Sequence, residues 1–319
     1  MENEYRKQSP FIFHGEGAKL FGITILNTIF TILTLGLYYP WAKVAKLHYL
    51  YHETEFSGSR FEFHGKGAEV FKGFIKALGI VLIVYLVSTA AQFSFDYYLI
   101  LLSSLFSYTV FAFLVPIAIH GSARYRLSRT SWRGIHFGYR GNRSELIKLF
   151  IIGSLLSIVT FGIYYAWLAI KIKKYVVAHT RFGSVSFSYH GNGLDYLFIH
   201  LKGYFLTFIT FGIYFPWFMK NRTNYYINNI QIHQAEKTVR AKSNITGGDY
   251  FALLIVNFFL VLFTFGLATP WATVRTMRLI LSNIELEDNI DTENILQTEE
   301  DYKNATGEDL ADMLDIDLI

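Results

Sequence analysis

The 319-residue chain has no cysteine, which excludes disulfides, thiolate metal sites and a cysteine nucleophile. Charge is also scarce: Asp, Glu, Lys and Arg make up 17% of the residues, against 52% hydrophobic and 18% aromatic, with a mean hydropathy of +0.29. That balance is too apolar for an ordinary soluble domain and indicates a polytopic membrane protein. The opening ten residues are polar, and the first apolar run is long, so a cleavable secretory signal is not expected. The net charge of +4 understates how basic the body is, because thirteen acidic residues lie between Glu285 and the C-terminus. A basic body beside a bilayer favours anionic lipid headgroups. Nucleic acid is a poor partner for it, since the charges are spread along the whole chain.

Two signals recur. The first is Thr34-Leu-Gly36-Leu-Tyr38-Tyr39-Pro40-Trp41, which returns as Thr160-Phe-Gly162-Ile-Tyr164-Tyr-Ala166-Trp167, Thr210-Phe-Gly212-Ile-Tyr214-Phe-Pro216-Trp217 and Thr264-Phe-Gly266-Leu-Ala268-Thr-Pro270-Trp271. The second is an alternating aromatic segment ending in glycine: Phe11-Ile-Phe13-His14-Gly15, Phe61-Glu-Phe63-His64-Gly65, Phe137-Gly-Tyr139-Arg140-Gly141 and Phe187-Ser-Tyr189-His190-Gly191. Pro40 to Gly65, Pro116 to Gly141 and Ala166 to Gly191 are each 25 residues, and the return steps match, except that Gly65 to Pro116 is 51. Constant spacing marks tandem repeats of roughly 50 residues. We divide a membrane domain, 1–287, into units 11–60, 61–136, 137–186, 187–236 and 237–287. The last unit is frayed, with its glycine signal reduced to Val239-Arg-Ala241. Residues 288–319 form an acidic tail, expected to be flexible because it carries few aromatics. Its closing segment 310–316 could dock as a short amphipathic helix.

Uncharged runs cover 21–42, 77–95, 97–123, 149–170, 203–219 and 251–274. Each approaches the length needed to cross a hydrocarbon core of about 30 Å, so the expected architecture has about six membrane helices. After each Pro-Trp a basic, aromatic segment suits the headgroup zone as an interfacial helix. Short period-2 runs around a Ser-Gly turn, as at 54–63, predict one extramembrane β-hairpin per unit, the hairpins pairing into a small sheet. Topology is in conflict. Alternating crossings would send equivalent units to opposite sides, whereas constant spacing suits units that dip in and return at Thr-x-Gly-x-Tyr-Tyr-Pro, the longer second unit alone crossing twice.

Aligned on the proline position, Asn27, Ser103, Gly153, Gly203 and Asn257 share one offset; Thr31, Ser107, Ser157 and Thr207 share another; Thr34, Thr160, Thr210 and Thr264 a third. These offsets lie on one helix face. Close helix packing accounts for such a stripe. So does a polar path through the membrane, for which Asn27, Thr31, Thr34, Ser103, Ser107, Ser157, Thr160, Thr207, Thr210, Asn257 and Thr264 are the candidate lining. The recurring Gly36, Pro40, Trp41, Gly162, Trp167, Gly212, Pro216, Trp217, Gly266, Pro270 and Trp271 read as structural.

His48 and His52 stand four apart, a spacing that can hold zinc, but no HExxH accompanies them and Glu53 is off their face; no metal is assigned. His14, His64 and His190 share one place before glycine, which suits a strand end. Gly15-Glu-Gly17, Gly65-Lys-Gly67 and Gly191-Asn-Gly193 continue to no phosphate-loop context and turn the chain from strand into helix. There is no catalytic constellation, so an enzyme is not expected, nor a cofactor.

The two recurring signals together resemble the YjgN-like family of bacterial inner-membrane proteins, over residues 9–287 and in the acidic ending as well. The resemblance implies a multi-pass protein of the bacterial cytoplasmic membrane and brings no catalytic residues. The second unit departs from the pattern, with Ile117 where tryptophan stands elsewhere. Two functions fit: a transporter or channel-like protein for an anionic or amphipathic solute, or a non-catalytic scaffold or lipid-interacting envelope protein with a protein partner.

Overall fold

The computed structural model describes residues 9–298. Five helical hairpins and ten short strands alternate along it. β1 (Phe11–Phe13) leads into α1 (Gly17–Leu33) and α2 (Tyr39–His52); β2 (Thr54–Phe56) and β3 (Ser59–Phe63) lead into α3 (Gly67–Phe93) and α4 (Tyr97–Ser128). β4 (Thr130–Trp132) and β5 (Ile135–Tyr139) precede α5 (Arg143–Val159) and α6 (Tyr165–Ala178). β6 (Thr180–Phe182) and β7 (Val185–Tyr189) precede α7 (Gly193–Ile209) and α8 (Phe215–Asn228). β8 (Ile230–Gln234) and β9 (Lys237–Ser243) precede α9 (Gly247–Phe263), α10 (Thr269–Ser282) and β10 (Ile284–Leu286).

The expectation of six membrane helices is corrected. Among the described residues only α3 and α4 are long and apolar enough to cross a membrane. The other apolar runs are cut in two by a reversal at the Thr-x-Gly signal. In four hairpins the residue after threonine, Leu35, Phe161, Phe211 or Phe265, has φ between 48 and 52°, and the following glycine has φ between 87 and 91°. Two successive left-handed residues turn the chain back. The glycine N–H reaches the carbonyl five residues earlier, as in Gly162 N to Ser157 O at 2.7 Å. The threonine clasps the turn: Thr160 Oγ1 donates to the Leu156 carbonyl at 2.7 Å and accepts from the Tyr164 N–H at 3.0 Å. Thr34, Thr210 and Thr264 do the same. The segment after each Pro-Trp is correspondingly the second arm of a hairpin, packed on the first, and not an isolated interfacial helix. Thr160→Val keeps the shape and removes both bonds, so thermal unfolding in detergent should report a loss of about 1–2 kcal/mol. Thr207→Val is the control: that hydroxyl is buried without a partner, and its loss should be neutral or stabilising.

The expectation of small hairpins pairing into a small sheet is also corrected, in extent. The hairpins join into one antiparallel ten-stranded sheet in chain order. In such a meander every helical hairpin leaves from one end of the sheet, and the turns β2–β3, β4–β5, β6–β7 and β8–β9 lie at the other. All ten strands contribute to a single apolar cluster that includes Phe56, Trp132, Phe182, Val239 and Leu286, so the sheet is curled around its own core. The Phe-x-Phe signal divides between two layers. Phe11, Phe61, Phe137 and Phe187 pack on the sheet core, whereas Phe13, Phe63, Tyr139 and Tyr189 fill grooves between neighbouring hairpins. The intervening Ile12 and His14 point outward, as period 2 requires.

The helices form a closed ring: each packs on its chain neighbours, and α10 packs on α1. Closure repeats one contact. Trp41 covers Gly67, Trp167 covers Gly193, Trp217 covers Gly247 and Trp271 returns to cover Gly17, each where a Cβ would fall within 2.5 Å of the indole. The exception is matched on both sides, since Ile117 replaces the tryptophan and Arg143 the glycine. Between β10 and β1 no ladder forms among the described residues, and α10 packs against β1 while Ser9 Oγ donates to the Leu281 carbonyl at 2.7 Å. Residues 289–298 cross the turn end of the sheet. Lys237 Nζ donates to the Asn289 carbonyl, the Ser184 N–H to the Leu296 carbonyl and Thr298 Oγ1 to the Gly183 carbonyl, and Ile295 enters the core. The rest of the acidic tail, with the segment 310–316, lies outside the described residues. In the frayed last unit the second signal falls later than expected. The Asn244 N–H bonds the Asn283 carbonyl as that of His14 bonds Glu53, which puts Ile245 at the glycine place.

Candidate functional site

The candidate path residues are drawn into the hairpins themselves. Asn27 Nδ2 donates to the Ile23 carbonyl and Thr31 Oγ1 to the Asn27 carbonyl, both along α1. Ser157 Oγ donates to the Gly153 carbonyl and Ser103 Oγ to that of Ile100. Ser107 Oγ meets Ser88 Oγ across α3 and α4 at 3.0 Å. Asn257 Nδ2 spans α9 and α10 to the Ala272 carbonyl and Thr276 Oγ1, each at 3.4 Å. Gly153 faces Leu168 and Gly203 faces Phe218, with no room for a side chain. The stripe therefore lies along the seam between the two arms of each hairpin. Thr34, Thr160, Thr210 and Thr264 are the turn clasps already described.

Two further polar positions recur that the sequence reading did not single out. Eight residues past the proline place stand His48, Arg124, Lys174, Asn224 and Arg278. His48 Nε2 lies 2.9 Å from the Gly65 carbonyl, Asn224 Nδ2 donates to Ile245 and Arg278 Nη2 to Gly15, each binding the next unit. One place on, the Tyr49, Tyr175 and Tyr225 hydroxyls accept from and donate to the backbone of Glu16, Asn142 and Asn192, the residues capping the first arm of the same hairpin. Constant offsets of donor residues were the available signal. His48 is thereby committed to structure. The cleft it lines, about 490 Å³, also holds His52, Glu62 and His64, and no three His or acidic side chains could hold a metal among the described residues.

A further set of polar residues lies in the groove between the third and fourth hairpins. Lys173 Nζ stands 3.8 Å from the centroid of the Tyr226 ring and 5.6 Å from that of Tyr189, and the Arg222 guanidinium stands 6.0 Å from the Tyr226 centroid. Tyr226 Oη donates to Tyr196 Oη at 3.0 Å, and Tyr189 Oη is buried without a partner. Burial, with the Arg222 charge added, lowers the Lys173 ammonium from 10.5 to about 8. Burial raises the Tyr189 and Tyr196 phenols, which stay protonated donors. The groove is thus lined by basic and phenolic side chains.

Long exposed apolar arms and hairpin tips ending in bare leucine or phenylalanine side chains define a membrane protein. The chain belongs to the bacterial protein family of unknown function DUF898, whose profile matches residues 8–192 and 224–313. It is similar to the inner membrane protein YjgN of Escherichia coli O157:H7, 31% identical over 129 residues, 40% of this chain and 30% of that one. The YjgN of E. coli K12 is 44% identical over 61 residues, 19% of this chain and 15% of that one. That of Salmonella typhimurium is 28% identical over 168 residues, 48% of this chain and 40% of its own. The matched stretches span less than half the length of these curated relatives. No solved structure matches the chain.

Proposed function

We propose that the protein is a non-catalytic, lipid-engaging scaffold of the bacterial inner membrane, anchored by α3 and α4 and seated by its four shorter hairpins. The observation that carries this reading is the exposure of the hairpin tips: Leu35, Phe161, Phe211 and Phe265 are 95%, 97%, 97% and 97% exposed. Apolar side chains so placed are stable only in a nonpolar medium. A 17-residue arm reaches about 25 Å, short of a hydrocarbon core of about 30 Å, while the 27 and 32 residues of α3 and α4 exceed it. Transport along the ring axis has less support. The curled sheet is filled by Trp132 and its neighbours, and Asn27, Thr31, Ser103 and Ser157 bond backbone carbonyls of their own helices.

The absence of cysteine makes the test direct. Ser57→Cys, Arg133→Cys and Glu236→Cys, at exposed sheet turns, should all react with an impermeant thiol reagent from the same side of the membrane. Phe95→Cys should react from the opposite side, and Phe161→Cys, Phe211→Cys and Phe265→Cys from neither. Labelling of the short tips from the side that labels Phe95→Cys would sink the seating. Solute uptake that disappears in Asn27→Ala and Asn257→Ala, with insertion unchanged, would restore the transport reading.

A further inference from the structure

We propose that a collar of cations at one depth on the helical wall, Lys46, Lys76, Lys171, Lys202 and Arg275, binds the phosphates of anionic phospholipids in the leaflet next to the sheet. Three observations meet there. First, the five share a depth and each comes from a different hairpin. Lys76 and Lys202 stand nine residues past the glycine that opens their arm, Lys171 and Arg275 five residues past the proline place, and Lys46 six. At about 1.5 Å per residue, all five lie about 10 Å from the level of the short tips.

Second, no acid answers them. The acidic residues of the described helices are confined to the third residue of a first arm, Glu69, Glu145, Asp195 and Asp249, close to the sheet. Among the described residues none of the five is paired with a carboxylate, and Lys171 Nζ donates to Tyr164 Oη. Lys46, Lys76, Lys171 and Lys202 are exposed and Arg275 is half-buried. Lys76 and Lys202 follow the exposed Ile75 and Leu201, so their stems lie on an apolar wall. A long cationic side chain on such a wall rests its methylenes in the nonpolar medium and sends its charge to the phosphate level.

Third, the long hairpin measures the bilayer from the collar. From Lys76 to Phe93, the end of α3, is seventeen residues, about 25 Å. The tip beyond carries Asp96, with Tyr97 and Tyr98 70% and 78% exposed. A cation at one interface and a charged, tyrosine-bearing tip at the other are thus separated by about the 30 Å of a hydrocarbon core. That spacing puts the collar at the near phosphates and the short tips inside the near leaflet.

The collar rests on the membrane-seated reading, and one experiment separates the two. The full chain is placed in bilayer discs of equal parts phosphatidylglycerol and phosphatidylcholine, with bromine on the acyl chains of one lipid or the other, and tryptophan fluorescence is read. Trp41, Trp167, Trp217 and Trp271 stand one place past the proline position, on the tip side of the collar, so quenching by either lipid reports the seating. Brominated phosphatidylglycerol should quench in preference to brominated phosphatidylcholine by up to about fivefold. Lys46→Gln, Lys76→Gln, Lys171→Gln, Lys202→Gln and Arg275→Gln together should bring the two to parity. Arg240→Gln with Lys242→Gln, exposed on the sheet, should leave the preference intact. Salt at about 1 M should abolish it in the native chain, a readout that stands if the fully substituted variant does not insert. Strong quenching that is equal for the two lipids overturns the collar with the seating intact. A preference that survives both salt and the full substitution, or that is lost in the sheet control, overturns it as well. No quenching by either lipid overturns the seating and the collar together.

Discussion

Gly17→Leu should lower stability by about 1–3 kcal/mol or more, because a side chain there must displace the indole that closes the ring. A Cβ on Gly17 would fall 2.2 Å from Cδ1 of Trp271, whereas one on Gly22, in the same helix, meets nothing within 4 Å. Gly22→Ala is therefore expected to be neutral or to stabilise by up to about 1 kcal/mol through helix propensity. The chain already contains the compensated form of the contact, Ile117 opposite Arg143. Trp271→Ile combined with Gly17→Arg should accordingly lose less than the sum of the two single changes. Unfolding midpoints in detergent measure all five variants. If Gly17→Leu behaves like Gly22→Ala, the tryptophan contact does not close the ring.

Trp132→Ala should cost about 3–5 kcal/mol, the largest single loss of any substitution considered. Its side chain is fully buried at the centre of the curled sheet, with edge contacts to Phe56 and Phe182. Nε1 is shared between the Phe56 carbonyl at 3.1 Å and the Ser59 carbonyl at 3.0 Å. Truncation thus opens a cavity and removes the donor that joins β2 to β4. Trp217→Ala, which removes an indole that is 37% exposed, should cost distinctly less. Equal losses at the two sites would mean that the sheet core does not carry the fold.

The recurring signals, the alternating aromatic strands and the exceptional second unit could be read directly from the residues, and so could the turn of strand into helix at each Gly-x-Gly. The reversal at Thr-x-Gly could not be settled, for a physical reason. Leu35, Phe161, Phe211 and Phe265 are apolar and outward-facing, so hydropathy runs through the turn without a break. The left-handed backbone at these residues leaves its trace only in the glycine that follows. The glycine that opens four of the hairpins carried a second message that only the fold decodes, namely space for a tryptophan of the preceding hairpin or, for Gly17, at the far end of the chain. The simultaneous change to Ile117 and Arg143 was its visible sign. The basic groove at Lys173 was hidden for a different reason: Lys173, Tyr189 and Arg222 come from three separate elements.

The last contact of the ring, Trp271 on Gly17, uses the same chemistry as every internal one, and this limits how such a protein can change size. A sixth unit gained by duplication would have to part that contact and widen a sheet whose interior is already filled. Extra residues within a hairpin disturb neither, as the lengthened α3 and α4 demonstrate. Growth is therefore permitted along the axis and forbidden around it.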